Sequence, residues 1–263
     1  MFWWIMKYVV LGPILRLMYR PKTKGLENIP AEGPAIIAAN HESFLDDLLL
    51  PLMVKRRKVV FLAKADYFDK WYLRWFFKGA NVIPVRRGSK SAAEAALQAG
   101  VTALQEGKLI GIFPEGTRSP DGRLYRGKTG VARMALEARV PVIPVAILGT
   151  FEAMPYDRKL PKTGRVEIRF GKPLRFERHH DTPTDRFVLR SVTDEIMYEI
   201  MMLSGHEYVD EYATKIKEQA PGAATEPIVD LTKAEPEAST IGAEGEPQLR
   251  AAATSRPTGD SKP

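Results

Sequence analysis

The sequence predicts a single α/β domain built on a mixed, partly parallel sheet flanked by helices. Three observations lead there: fully apolar runs of strand length, helix-period stretches between several of them, and an apolar content of 44% in 263 residues, which suits one packed core.

Taken in order, the strand candidates are Ala35–Ala39, Val59–Ala63, Val82–Val85, Leu109–Phe113 and Val142–Leu148. Each is too short for a buried helix and rich in branched residues. Arg165–Phe170 alternates apolar and polar with the period of a strand that has one wet face. Between them, Ser91 to Gly107 repeats Ala93, Leu97, Val101 and Leu104 at helical spacing. Thr129 to Arg139 does so with Val131, Met134 and Ala138, and Asp185 to Leu203 with Val188, Val192, Ile196, Ile200 and Leu203. Thr184 is the expected cap of that long helix.

The ends differ from this pattern. Residues 1–20 are apolar and aromatic but interrupted by Lys7, Pro13 and Arg16, and the longest uncharged run after the first six is Tyr8 to Leu15. A spanning helix needs about 20 mostly apolar residues. The expectation is therefore an N-terminal membrane-associating helical segment lying on a bilayer. Trp3, Trp4, Tyr8 and Tyr19 would sit at headgroup depth, and Lys7, Arg16 and Arg20 would face anionic lipid. That puts the protein at the cytoplasmic face of the plasma membrane, peripheral or monotopic. A core helix capping the domain is the alternative. A signal peptide fits poorly, because no basic region precedes the apolar one and no small-residue cleavage site follows.

Residues 219–263 hold six prolines and no aromatic residue. Such a segment cannot offset its ordering entropy by burial, so a disordered, acidic, Ala/Pro-rich tail is expected there, with the folded domain over 21–218. Acids outnumber bases in the tail by three, which leaves residues 1–218 at +10 within a chain of +7. A domain so basic attracts nucleic acid, anionic lipid or phosphorylated small molecules. The chain has no cysteine, which removes disulfides, thiolate metal sites and a cysteine acyl-enzyme.

Two clusters carry no decided role. Tyr67 to Lys78 places Phe68, Trp71, Trp75 and Phe76 near one helical stripe, suited to a core, a membrane or an acyl chain. Lys55-Arg-Arg-Lys58 is a solvated loop or a lipid-attracting patch.

The chemistry centres on Asn40-His-Glu-Ser-Phe-Leu-Asp46. An imidazole can take a proton from a hydroxyl near neutral pH, and a carboxylate on its other nitrogen fixes the tautomer. Five residues along a helix turn about 140° away from the starting face, so His41 must precede a helix that carries Asp46. The sequence agrees: the strand Ala35–Ala39 leads into Asn40-His41, Ser43 is a good N-cap, and Asp46 falls in the first turn. Ser43-x-x-Asp46 also resembles a capping box, and both readings can hold. His180 and Asp185 repeat the spacing, but no apolar strand leads into them; His179 and His206 are no better candidates.

Three further blocks follow in order: Gly79-Ala-Asn-Val-Ile-Pro-Val-Arg86-Arg87, Phe113-Pro-Glu-Gly-Thr-Arg118-Ser119 and Val140-Pro-Val-Ile-Pro-Val145. With the first, they resemble the glycerolipid acyltransferase family that contains 1-acylglycerol-3-phosphate acyltransferases, a resemblance that extends over roughly Lys22 to Pro173. It implies transfer of a fatty acyl group, from a thioester of coenzyme A or acyl carrier protein, to the free hydroxyl of a lysophospholipid, with lysophosphatidic acid the leading acceptor. It implies no cofactor and no metal. By the same resemblance His41 is the general base and Asp46 its orienting carboxylate. Arg86 or Arg87, together with Arg118, would hold the acceptor phosphate, with Glu115, Gly116 and Thr117 shaping the loop. The fourth block would line the acyl or acceptor pocket. Lys128 corresponds to a further family feature, although Gly127 stands where that feature usually has an aromatic residue.

The third block reads the same way from its own residues. A buried strand ends at Phe113 and Ser119-Pro-Asp-Gly122 suits a type I turn, which makes Glu115 to Arg118 a loop at a strand end. Arg118 offers a planar fork for phosphate oxygens, or a salt bridge to Glu115. Ser43 and Ser119 stay open as nucleophiles. Competing readings are acylation of another lysophospholipid or a glycolipid, a thioesterase using the same pair on water, and a basic lipid-binding or nucleic-acid-binding module without chemistry. No nucleic-acid recognition module is recognisable, so no nucleic-acid partner is expected.

Overall fold

A computed structural model describes residues 5–55, 57–64, 83–85, 90–156, 158 and 160–219. The strands are β1 (Lys22–Lys24), β2 (Ala35–Ala39), β3 (Val59–Lys64), β4 (Ile83–Val85), β5 (Leu109–Ile112), β6 (Leu124–Tyr125), β7 (Val142–Leu148), β8 (Glu167–Phe170) and β9 (Tyr208–Val209). Seven form one sheet in the order β1-β8-β7-β2-β5-β3-β4; β6 and β9 pair separately. Neighbours in the large sheet are parallel except β7 and β8. The mixed, partly parallel α/β architecture is as expected.

The central strands are apolar throughout because both faces are covered. Ile36 and Ala38 of β2 point into one core, with Leu97, Val131, Met134, Ile196 and Ile200. Ala35, Ile37 and Ala39 point into the other, with Leu15, Leu45, Leu49, Ile143 and Val145. Three helices build the first core: α3 (Lys90–Gln105), α4 (Gly130–Ala138) and α6 (Arg186–Ser204). Two build the second: α1 (Leu11–Tyr19) and α2 (Phe44–Met53). A short α5 (Thr150–Ala153) follows β7, and α7 (Ala213–Gln219) closes the described chain.

Several expectations need correction. The cap of α6 is Asp185, whose carboxylate accepts from the Phe187 and Val188 amides, not Thr184; this also engages the carboxylate that the His180 pair would need. Gln219, assigned to the tail, ends α7, and 220–263 lie outside the described residues. So do Trp3, Trp4, Arg56 and the aromatic stretch Tyr67–Lys78. In the Lys55–Lys58 cluster Lys55 is exposed, while the half-buried Arg57 clamps two loops by donating to the Pro30 and Gly107 carbonyls at 3.1 and 3.0 Å.

The N-terminal segment divides its residues differently from the amphipathic reading. A π-helical turn, Met6–Val10, runs into α1. Lys7 does not face lipid: it is 2% exposed and its ammonium donates to the Pro51 carbonyl at 3.0 Å and to that of Val54, at the C-terminal end of α2. Those carbonyls lack helical partners, and a lysine there also meets the negative end of the helix dipole. Burial, and then the charge of Arg16, pull the Lys7 pKa down to about 8. The wider π turn brings the Lys7 carbonyl so close that a Cβ on Gly12 would lie 1.7 Å from it, so only glycine fits. Tyr19, expected at headgroup depth, is fully buried. Ile5, Tyr8, Val9, Val10, Ile14 and Leu17 stay exposed. Among the described residues no helix is long and apolar enough to cross a membrane.

Candidate active site

In parallel sheets, ligand sites form beyond the C-terminal ends of the strands, where successive loops converge. Here β2 and β5 are parallel neighbours, so the chain leaving β2 at Asn40 and the chain leaving β5 at Phe113 emerge side by side. Asn40 continues the pairing with its side chain, donating to the Ile147 carbonyl and accepting from the Ile147 amide on β7, at 2.9 and 2.7 Å. His41 is thereby fixed beyond the C-terminal end of the central strand before α2 begins.

Asp46 sits in the first turn of α2, fully buried, and one of its oxygens gathers the local polar groups. Its Oδ2 accepts from the Glu42 amide at 2.7 Å and the Ser43 amide at 2.8 Å, and lies 3.0 Å from His41 Nδ1. The capping box and the histidine–carboxylate pair are thus one structure. With Nδ1 held by the carboxylate, the proton-accepting nitrogen of the neutral ring is Nε2. The imidazole also stacks on Phe113, centroids 3.9 Å apart, and Phe113 stacks on Phe61.

The loop after β5 is pinned to the same histidine through the backbone. Glu115 Oε1 accepts the His41 amide at 3.0 Å and Oε2 accepts the Tyr125 amide at 2.9 Å, while the Ser119 amide donates to the His41 carbonyl at 2.6 Å. Glu115 is buried, so it holds the loop with both oxygens and does not present them to ligand. Burial pushes its carboxyl up, against the pull of the two amides. Arg118 does not make the alternative salt bridge to Glu115; its guanidinium lies 4.9 Å from the centre of the Tyr156 ring. Gly116 has φ +72°, and a Cβ there would meet the Lys128 stem at 3.2 Å. Lys128 therefore runs buried under the loop, a support for Gly116. Thr117 Oγ1 accepts from Lys217 at 2.9 Å. At Gly127 the packing against α6 is close: a Cβ there would approach Met197 Sδ to 2.7 Å.

Arg86 and Arg87 lie outside the described residues; Val85, just before them, ends the sheet-edge strand β4, parallel to its neighbour. The fourth block runs along β2 in the interior: Val142 pairs with Ile36 at its start and Val145 with Ala39 at its end, two residues before His41, and Val140, Val142, Ile143 and Val145 are buried in the two cores. Both candidate serines are committed and fully buried. Ser43 donates to the Met154 carbonyl at 2.7 Å, and Ser119 Oγ accepts the Gly122 amide at 3.0 Å, so the turn closes on that hydroxyl and not on a carbonyl. No metal-binding cluster occurs among the described residues.

A second histidine–carboxylate pair lies behind the first, and sequence reasoning missed it. Glu42, buried and accepting from the Asn40 side-chain amide, has Oε1 2.9 Å from His206 Nδ1. The partners are 164 positions apart in the sequence, so no local signal links them. The contact with Glu42 raises the His206 pKa, burial opposes this, and the charges of Glu42 and Glu152 add to the rise. A raised folded-state pKa gives stability that is whole below the unfolded value and lost as pH rises through the folded one. The difference in melting temperature between the native chain and His206→Gln should therefore be largest near pH 6 and shrink toward pH 9. A difference that widens with pH would exclude the pair as a stabilising contact.

Comparison with known proteins gives a consistent answer. A family model described as Acyltransferase matches residues 20–148. A 1-acyl-sn-glycerol-3-phosphate acyltransferase of Bacillus subtilis is 30% identical over 165 residues, covering 62% of this chain and 78% of that protein. A chloroplastic 1-acyl-sn-glycerol-3-phosphate acyltransferase of Arabidopsis thaliana is 33% identical over 158 residues, 59% of this chain. The match spans 44% of the Arabidopsis protein and 45% of a similar one from Brassica napus. Among solved structures, the crystal structure of the 1-acyl-sn-glycerophosphate acyltransferase PlsC from Thermotoga maritima aligns with a TM-score of 0.58 and 27% identity, over 75% of this chain and 80% of that one.

Proposed function

The chain belongs to the acyltransferase family, and from that premise we propose that it moves a fatty acyl group from a thioester of coenzyme A or acyl carrier protein to the free hydroxyl of lysophosphatidic acid, giving phosphatidic acid. The observation that carries the proposal is the 3.0 Å contact of His41 Nδ1 with Asp46, held at the C-terminal end of the central strand beside the Glu115–Arg118 loop.

In the proposed reaction, His41 Nε2 takes the proton of the acceptor hydroxyl as its oxygen attacks the thioester carbonyl carbon. The tetrahedral intermediate collapses, the carbon–sulfur bond breaks, and the leaving thiolate takes the proton back from the imidazolium. An ester and a free thiol result. Asp46, already ionically matched to the imidazolium, stabilises it through the step. Arg118, and Arg86 or Arg87, would anchor the phosphate so that the hydroxyl is positioned for attack. The commitment of both buried serines to backbone groups favours direct transfer over an acyl-serine intermediate. Incubating the full chain with a panel of lysolipids and both thioester types, with products identified by mass spectrometry, tests this. Phosphatidic acid formed faster than any other product supports the assignment; free fatty acid without acylated lipid makes the protein a thioesterase, and a different acylated lipid changes the acceptor.

The same reading puts the exposed apolar residues of the N-terminal segment against the cytoplasmic face of the membrane, with anionic lipid as partner. Ile14 and Leu17 are exposed, Leu17 at 77%, so charging them does not touch the core. Ile14→Asp combined with Leu17→Asp should weaken cosedimentation with phosphatidylglycerol-containing vesicles by about tenfold or more. Unchanged binding would remove this face from the membrane.

A further inference from the structure

We propose that Phe113, braced by Phe61, is a positioning residue for the general base: its ring fixes the plane of the His41 imidazole and stabilises the imidazolium formed during acyl transfer. This rests on the acyl-transfer reading above and adds two aromatic side chains to it, of which Phe61 lies outside the four sequence blocks.

The three rings are stacked in pairs. The His41 imidazole lies on Phe113 with centroids 3.9 Å apart and planes 14° from parallel, and Phe113 lies on Phe61 at 5.7 Å and 19°. The sheet builds this arrangement. Phe61 on β3 is in register with Gly111 on the parallel strand β5, and Phe113 follows two residues after Gly111. Side chains two apart along a strand share a face, and both phenylalanines pack against the second core. A Cβ on Gly111 would lie 2.5 Å from Phe61 Cε1 and Cζ. The Phe61 ring therefore lies over its cross-strand partner, and the bare glycine leaves it room beside Phe113.

A hydrogen bond and a stack restrain different motions. The 3.0 Å contact of His41 Nδ1 with Asp46 Oδ2 fixes one atom of the imidazole and leaves the ring able to rock about it. A second ring held face to face removes that freedom, so Nε2 keeps one direction toward the acceptor hydroxyl. The stack also distinguishes the two states of the base. An aromatic face carries negative charge density and attracts a cation more than a neutral group. His41 is neutral before it takes the proton and cationic afterwards, so the attraction grows along the reaction. Only an interaction that grows in this way raises kcat. Phe61 acts one step back, by holding Phe113 in place.

The test measures kcat and KM for the acyl thioester and for lysophosphatidate in the full chain, Phe113→Leu, Phe113→Tyr and Phe61→Leu. Phe113→Leu and Phe61→Leu are also made in a His41→Ala background, and the His41 ring-proton resonances are followed by NMR. Leucine keeps the apolar character and removes the π face, so Phe113→Leu should lower kcat by about three- to thirtyfold. Both KM values should stay within about twofold, since no substrate contact is lost. Phe113→Tyr should return most of the lost kcat, and Phe61→Leu should show a smaller loss of the same kind. In His41→Ala, adding either leucine should change the residual rate by less than about twofold, because a residue acting through the imidazole has nothing left to act on. A native kcat in Phe113→Leu overturns the proposal, as does a loss that persists without His41. A KM that rises while kcat holds also overturns it and makes Phe113 a wall of the substrate site. Should Phe113→Leu not fold, Phe61→Leu in the two backgrounds carries the same test. If the native chain acylates no lysolipid, the preceding functional reading fails instead, and the resonances decide this one. A His41 signal that moves downfield in Phe113→Leu supports the stack, and one that stays in place overturns it.

Discussion

His41→Ala should lower kcat by about 100-fold or more while the melting temperature and the circular dichroism spectrum change little. The size follows from removing a general base. The retention of fold follows from the bonds the residue makes. The two contacts that lock the loop to this position, the amide to Glu115 and the carbonyl to Ser119, belong to the backbone and survive in alanine. The lost side chain contributes a stacking contact with Phe113 and a partner for Asp46. A His41→Ala protein with near-native turnover would remove His41 from the chemistry.

Asp46 is predicted to behave differently, because one oxygen serves two purposes. Asp46→Ala removes the acceptor of two backbone amides as well as the partner of the imidazole. It should lose about 100- to 10,000-fold in kcat and, in addition, about 1–2 kcal/mol of stability from the broken cap. Asp46→Asn separates the two. The amide oxygen must take the Oδ2 position to satisfy the amides, so cap and tautomer persist while the charge that stabilises the imidazolium is gone. Activity should fall with the melting temperature nearly unchanged. If asparagine were fully active, the carboxylate would be a structural cap only. Denaturation curves run beside steady-state kinetics on both variants make the distinction.

Much of this arrangement was legible in the sequence, for identifiable reasons. The strands at the centre of the sheet are apolar on both faces, so β2, β5 and β7 stand out as unbroken runs, and Ser43 and Asp46 signal a helix start locally. The β1 edge and the small sheet were not legible, although the opposite edge strand, β4, falls within the expected Val82–Val85. Lys22-Thr-Lys24 and the two-residue strands β6 and β9 carry no pattern and exist through pairing with distant partners. The same limit hid Lys217 and His206, whose meaning depends on residues 100 and 164 positions away. Lys7 misled for another reason. A charge in an apolar run suggests a wet face, whereas here the ammonium covers carbonyls that a helix end leaves bare. Glu115 shows that a residue can belong to a recognisable motif while serving the scaffold: its two carboxylate oxygens accept the His41 and Tyr125 amides and so clamp the loop.

Helix α2 has ten residues, so its ends are about 15 Å apart. Lys7 is fastened at one end and Asp46 at the other. On the proposal that the N-terminal segment rests on lipid, this single rigid rod becomes a gauge that sets the height of the imidazole above the bilayer. Its length would then decide how far a lysolipid must rise from its leaflet before its hydroxyl comes within reach.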